Sequence, residues 1–374
     1  MKVLHLTDHY PPAMGGIETH VAALAHRQAL RGDDVTVVTS TPEWADGRGS
    51  IDVGPVTVKR MHNRRAALDL DVGGYDLVHV HISVVAPFSA PVAAAWSRRG
   101  VPTVVTAHSL WNGLGPLPSM AAAVAGLRSA PVRWTAVSQV AAEQLARGLP
   151  AGTPVSVLPN AVSVPPRAET PLRRAAEPVR IVSTMRVARR KRPLPLLRVF
   201  DQVRRIVEVP TTLTVVGDGP LRARFEREAS RRGLDDLVTV TGRVDPPQVQ
   251  ELLAESDLYV APAVLESFGL AALEARCVGL PVVGRAGTGM RDFIDEGVEG
   301  MLCPSDSAVA ERVADLVADP ALRFRVAEHN RTTATSMTWA HAMLRHDDVY
   351  AAARTPLAAT ARGRTARGRT ALGG

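Results

Sequence analysis

The sequence predicts an α/β protein with two Rossmann-like, doubly wound domains facing each other across a cleft. Three observations carry this expectation. Short apolar runs alternate with helix-forming stretches over most of the chain, the pattern of parallel sheets covered by helices. The 374 residues suffice for two domains of ordinary size. Between the two ladders the composition changes, becoming rich in Pro, Arg and Glu up to Pro178, as domain linkers are.

Composition bounds the function classes. Hydrophobic residues make up 46% and aromatics 4%, which suits Ala-, Val- and Leu-rich cores of parallel sheets. The formal net charge is +7, but five arginines and no acid lie in 354–374, so residues 1–353 carry only +2. The basicity therefore belongs to the tail and gives no support to a nucleic-acid-binding fold. Cys277 and Cys303 form no C-x-x-C and read as small core residues in a reduced compartment. No signal-peptide core opens the chain, and no run approaches the ~18–20 apolar residues of a spanning helix. The expectation is a cytoplasmic protein, with peripheral contact at the inner face of a membrane left open.

The first ladder begins with the strand Lys2–Thr7. Loop 8–16, DHYPPAMGG, leads to an amphipathic helix from Glu18 to Leu30, which Gly32 ends, and to the strand Asp34–Thr39. A Gly15-Gly16 turn at a helix start lets the backbone approach a phosphate, and the helix end favours negative charge. Leu77–His81, Pro102–Ala107, Trp134–Ser138 and Val155–Leu158 continue the strands. His108 stands at the carboxyl end of one of them, where α/β sheets bind ligands. His79 and His81 share a strand face. No third ligand is apparent, so they read as core or acceptor-cleft histidines rather than a zinc site. The Gly/Pro-rich loop Leu110–Met120 sits where specificity loops occur. The cluster Lys59–Arg65 is a solvated basic face or a seat for an anionic acceptor or lipid headgroup. Asp69-Leu70-Asp71 spells a metal-binding D-x-D but does not follow a core strand, and no metal is expected.

The second ladder runs through strand Val179–Met185, helix Leu194–Ile206, strand Thr211–Val216, helix Pro220–Arg231, strand Leu237–Thr241 and helix Pro247–Ala254. Strand Leu258–Ala261, a helix over Phe268–Cys277, strand Pro281–Gly284 and helices over Ser305–Leu316 and Ala321–Thr335 follow. The stretch 262–280 organises the rest. Glu266 falls on a loop and Glu274 inside the helix, roughly 12 Å apart at helical rise. The free amides of the helix start lie between them and favour an anion. A hexose, a diphosphate and a ribose fit that order.

On these residues the chain resembles the retaining glycosyltransferases of the GT-B fold, family 4 (glycosyl transferases group 1). Glu266-Ser267-Phe268-Gly269 through Glu274 is similar to the family's pair of glutamates, and Gly15-Gly16-Ile17-Glu18 to its GG-x-E. Arg186 and Lys191, within MRVARRKRP, stand where the family has G-R-L-x-x-x-K-G. Met185 replaces the first glycine there and Arg192 the last. Gly217-Asp218-Gly219-Pro220 resembles G-D-G-P, and Gly242-Arg243-Val244 the loop that borders the nucleobase. Pro159-Asn160-Ala161-Val162 resembles the P-N-G-V linker, with Ala161 for glycine. Thr288-Gly289-Met290-Arg291-Asp292 departs from the usual Gly-Gly-x-x-Glu.

The resemblance implies an acceptor-binding domain over 1–163 and a nucleotide-sugar-binding domain over 164–337. A helix over 338–353 crosses back onto the first, and a basic, disordered tail covers 354–374. It also implies a metal-independent, retaining transfer of a hexosyl or N-acetylhexosaminyl group from a UDP- or GDP-sugar. The acceptor is a small molecule, a glycan or a lipid-linked sugar, with no cofactor and no nucleic acid. By that resemblance His108, Arg186, Lys191 and Glu266 are catalytic. Gly15, Gly16, Gly217, Arg243, Ser267, Phe268, Gly269, Leu270 and Glu274 join Arg186, Lys191 and Glu266 in binding the donor. A lipid acceptor, as in phosphatidylinositol mannosyltransferases, is the competing version. An NAD-dependent oxidoreductase on two Rossmann domains is a third reading, which Gly15-Gly16 does not meet for lack of G-x-G-x-x-G spacing.

Overall fold

The computed structural model describes residues 1–13, 15–43, 54–110, 126–163 and 178–355. Most of loop 110–120, the linker from residue 164 and the tail from residue 356 are outside the described residues. The expected boundary at 163/164 opens onto that linker.

Two all-parallel sheets carry the chain. The first has seven strands in the order β3-β2-β1-β4-β5-β6-β7: β1 Lys2–Thr7, β2 Asp34–Thr39, β3 Thr57–Arg60, β4 Leu77–Ile82, β5 Thr103–Ala107, β6 Arg133–Ala136 and β7 Val155–Val157. Helices α1 Gly16–Leu30, α2 Arg64–Leu68, α3 Ser89–Arg98 and α4 Gln139–Gly148 connect them. β4 is buried along its whole length, as a strand covered on both faces must be.

The second sheet has six strands in the order β10-β9-β8-β11-β12-β13: β8 Val179–Thr184, β9 Thr211–Val216, β10 Val238–Gly242, β11 Leu258–Ala261, β12 Val282–Arg285 and β13 Gly300–Cys303. Its helices are α5 Pro193–Ile206, α6 Arg222–Arg231, α7 Pro246–Ala254, α8 Leu270–Cys277, α9 Asp306–Ala318 and α10 Pro320–Thr332. The last helix, α11 Trp339–Arg354, returns to the first sheet.

Both sheets reverse winding direction once, between β1 and β4 and between β8 and β11. Such switch points leave a crevice at the strands' carboxyl ends. The loops leaving β1, β8 and β11 carry Gly15-Gly16, the 186–192 cations and Glu266. Within each sheet, topology places these loops at its own switch point.

Two strands escaped the sequence reading. β3 takes the first two residues of the cluster Lys59–Arg65, and Arg60 spends its guanidinium on the carbonyls of Thr41 and Pro11 at 3.0 and 2.8 Å. β13 is four residues long, in a stretch where the sequence pattern predicts no element.

α11 docks through Tyr350, which is fully buried with Val3, Leu77 and Val104. Trp339, at its start, stacks on His20 with ring centroids 5.3 Å apart and lies under the Arg27 guanidinium. Removing a buried aromatic costs about 3–5 kcal/mol. Tyr350→Ala should therefore lower the urea midpoint of the first sheet by that equivalent, followed through the buried Trp96 and Trp134. An unchanged midpoint would mean that α11 does not dock there.

Candidate active site in the interdomain cleft

The site forms where α8 begins. Gly269 precedes the helix at φ 100°, a left-handed conformation that glycine adopts without strain, and no side chain caps the first turn. The first helical bond runs from the Leu273 amide to the Gly269 carbonyl at 2.9 Å. Amides N-terminal to it are the orphans of any helix start. α8 starts at Leu270, two residues later than the sequence suggested, because Ser267–Gly269 turn into it instead of belonging to it.

Ser267 faces the other domain: its hydroxyl donates to the His108 carbonyl at 2.6 Å. Phe268 turns its ring into the core against Phe293, at 5.4 Å between centroids. Only its backbone remains available to a ligand. Gly16 lies opposite α8, since a Cβ built there would sit 3.6 Å from Leu270 Cδ1. Gly15 is extended and packs against the Glu18 carboxylate.

The cations divide by role. Lys191, at the end of a short 3₁₀ turn, pairs with Glu266 at 2.5 Å. Arg190 reaches the Leu110 carbonyl in the first domain at 3.2 Å. Arg192, at φ 59°, is held by both Asp306 oxygens at 2.8 Å and by the Pro262 carbonyl. Arg186 is exposed and has no ion-pair partner among the described residues. The sequence leaves the register of these cations open, and the structure distinguishes them by their partners.

Gly217 and Arg243 directly follow β9 and β10. A Cβ on Gly217 would strike the Met185 carbonyl, so close approach of two strand ends is enough to require this glycine. Arg243 is exposed after β10.

Glu266 and Glu274 differ in environment. Glu274, in the second turn of α8, has no ion-pair or hydrogen-bond partner among the described residues, and burial pushes its carboxyl up to about 7. Tyr259 beneath them feels both carboxylates, and its hydroxyl, raised first by burial, is tied to Thr184.

Three groups of functional residues were missed. Asp292 accepts from the Gln139 amide at the start of α4 at 2.8 Å, and Arg291 pairs with Glu143 at 2.5 Å. Both contacts join the domains, in the segment whose departure from the family pattern was the only available signal. Asp8, just after β1, accepts from the Phe88 and Ser89 amides at 2.9 and 3.0 Å and so fixes the start of α3.

The third group corrects the reading of His79 and His81. A third histidine is present: β1 pairs with β4 so that His5 lies beside His79, and nitrogens of all three rings fall within 4.8 Å of one another. All six ring nitrogens already have protein partners. His5 uses His81 and Gln28, His79 uses Tyr350 and Thr106, and His81 uses His5 and His108. A metal ion there would have to displace buried hydrogen bonds. Asp71 Oδ1 accepts from the Gly73 amide at 2.9 Å, closing a local turn.

A carboxyl whose folded pKa is raised contributes stability below its unfolded value and loses it as pH rises through the folded one. For Glu274 that window runs from the usual 4.5 to about 7. Glu274→Gln should match wild type below the window and become more stable than it by up to about 3 kcal/mol above it. Tm measured for both proteins across the range checks this, and parallel curves would contradict it.

Residues 168–333 match the family model described as Glycosyl transferases group 1, and residues 14–164 match Glycosyltransferase Family 4. A GDP-mannose-dependent alpha-(1-6)-phosphatidylinositol monomannoside mannosyltransferase of Mycolicibacterium smegmatis is 25% identical over 349 residues, covering 85% of this chain and 90% of that protein. An alpha-D-kanosaminyltransferase of Streptomyces kanamyceticus is 32% identical over 117 residues, 31% of this chain, and the match spans only 30% of that protein's length. The structure of Anabaena Alr3699/HepE in complex with UDP and glucose is similar in fold, with a TM-score of 0.76 at 16% identity over 94% of this chain and 100% of that chain. With two parallel Rossmann-like sheets and both family models matched in order, the chain belongs to the group 1, family 4 glycosyltransferases and has the GT-B fold.

Proposed function

We propose that this chain moves a hexosyl or N-acetylhexosaminyl group from a nucleotide diphosphate sugar to an acceptor hydroxyl with retention of configuration. The observation that carries this reading is the convergence, at the start of α8, of uncapped amides, Lys191 and Glu266, with Gly16 of the other domain across from Leu270. The donor diphosphate lies on the amides between Arg186 and Lys191. Glu266 takes sugar hydroxyls and Glu274 the ribose diol. The names of the relatives support a UDP- or GDP-sugar: the Anabaena structure contains UDP, and the mycobacterial enzyme is GDP-mannose-dependent.

In the reaction the bond from the anomeric carbon to the phosphate oxygen breaks and a bond to the acceptor oxygen forms on the same face. The acceptor's proton passes to the departing phosphate. That phosphate gains charge in the transition state, so fixed cations and helix-end amides aimed at it lower the barrier. No metal is needed where two cations and a helix end already face the phosphates. Closure of the two domains keeps water from the activated sugar.

A thermal-shift panel of UDP, GDP, ADP and dTDP sugars tests the reading. A ligand at 100 times its Kd adds about 2.7 kcal/mol. One base class should stabilise the protein, and Arg186→Ala or Lys191→Ala should abolish that shift and lower kcat by about 10²–10³-fold. Unchanged donor binding in both variants would reject the clamp.

A lipid-linked acceptor is the second reading. The exposed His62, Arg64 and Arg65 and the near full-length likeness to a phosphatidylinositol mannosyltransferase favour it. None of the described helices is long and apolar enough to cross a membrane, so such contact would be peripheral. Flotation with anionic liposomes should then fall on Arg64→Glu with Arg65→Glu, whereas equal flotation would favour a soluble acceptor.

A further inference from the structure

Behind His108 a chain of buried hydrogen bonds runs from the cleft to the crossing helix α11. His108 Nε2 meets His81 Nδ1 at 3.0 Å, His81 Nε2 meets His5 Nδ1 at 3.0 Å, and His5 Nε2 meets Gln28 Oε1 at 2.6 Å. The Gln28 amide nitrogen donates to the Tyr350 hydroxyl at 3.1 Å. A second arm continues from that hydroxyl to His79 Nδ1 at 2.7 Å, from His79 Nε2 to Thr106 at 2.7 Å and from Thr106 to Thr135 at 2.6 Å. The members come from β1, β4, β5, β6, α1 and α11, and all are buried.

Each link in this chain needs one proton, so fixing one link fixes the rest. Burial holds all four imidazoles neutral, with His5 lowered to about 4, His108 to about 3, and His79 and His81 well below the usual value. A neutral ring has one donor and one acceptor nitrogen. A carbonyl oxygen can only accept, so His5 Nε2 carries a proton and Nδ1 does not. His81 must then donate from Nε2 and accept at Nδ1, and His108 must donate from Nε2. The other arm agrees: Tyr350 donates to His79, His79 to Thr106, Thr106 to Thr135, and Thr135 to the Val105 carbonyl at 3.2 Å.

Reversing the Gln28 amide would reverse every proton, and the distances oppose it. The 2.6 Å contact suits a ring N–H on oxygen and is too short for nitrogen on nitrogen. The 3.1 Å contact suits an amide on a hydroxyl and is long for a hydroxyl on a carbonyl.

We propose that Gln28 and Tyr350 are positioning residues that set the tautomer of His108, leaving its Nδ1 as a lone-pair acceptor at the cleft. Nδ1 has no protein partner among the described residues. The His108 carbonyl meanwhile holds Ser267 beside Glu266. On the reading given above, and resting on it, this nitrogen accepts a hydrogen bond from a substrate hydroxyl. A ring protonated at Nδ1 would instead present a donor and disfavour the same contact. Tyr350 belongs to α11, so docking of the crossing helix and the proton order at the cleft are linked.

Histidine ring ¹⁵N spectra of the full chain near neutral pH test the relay without substrate. The His108 signals are those lost in His108→Gln. Wild type should show His108 only as the Nε2–H form. Gln28→Met removes the anchor, and Tyr350→Phe removes the acceptor that orients the Gln28 amide, so each should give both tautomers of His108. A His108 that carries its proton on Nδ1 in wild type would overturn the proposal even if neither variant folds. A pure Nε2–H form in two folded variants would do so as well. Adding the donor that stabilises the protein in the thermal panel separates the two levels. A shift of His108 Nδ1 supports the substrate contact, whereas an Nε2–H relay with no such shift leaves the relay standing and removes the hydroxyl contact.

Discussion

At the start of α8 the helix leaves its first amides uncapped. The residue in the capping position is Gly269, and the nearest hydroxyl, on Ser267, is spent on the His108 carbonyl. An aspartate or serine in that position would cap those amides with its own side chain. Keeping the turn open requires support from below. The Gly289 amide bonds the Glu266 carbonyl at 2.9 Å, and a Cβ on Gly289 would strike the Ser267 carbonyl. Met290 is fully buried and packs against Gly269 and Gly284, and Phe293 backs Phe268. The segment after β12 is thus the floor of the site, and two glycines set its height.

The same floor reaches the first domain. Asp292 sits on the first turn of α4 and Arg291 on Glu143, while Ser267 and Arg190 reach carbonyls near the end of β5. These are a few polar links, and the Arg291–Glu143 pair is about two-fifths exposed on each side. Exposed pairs of this kind contribute about 0–1 kcal/mol. Such a pair fixes orientation more than it adds stability.

The fold was legible because parallel sheets write their strands as short apolar runs between helices, and strand ends fell within about two residues of expectation. β13 and β3 were not legible: each is four residues long, and β3 carries Lys59 and Arg60 at the sheet edge. The residues brought together at the site come from turns with recognisable spacing. Their partners do not. His5 lies 74 residues from His79, and only the register of β1 on β4 sets them side by side. Likewise nothing local marks Gln139 as the partner of Asp292, 153 positions away. Sequence spacing gives the chemistry of a turn, whereas pairing across strands and domains must be seen.

The two glutamates show why that difference matters. Their spacing suggested matched roles at the two ends of a donor, yet the fold gives them different surroundings. Glu266 is paired with Lys191, whereas Glu274 is desolvated by burial and has no ion-pair partner among the described residues. An anion arriving between them finds Arg186 without an ion-pair partner among the described residues and Lys191 already held by a carboxylate. Arg186 can offer its charge without breaking a bond, but Lys191 must share or exchange Glu266. Glu274, its carboxyl pushed up to about 7 by burial, keeps its proton to higher pH than an exposed glutamate does.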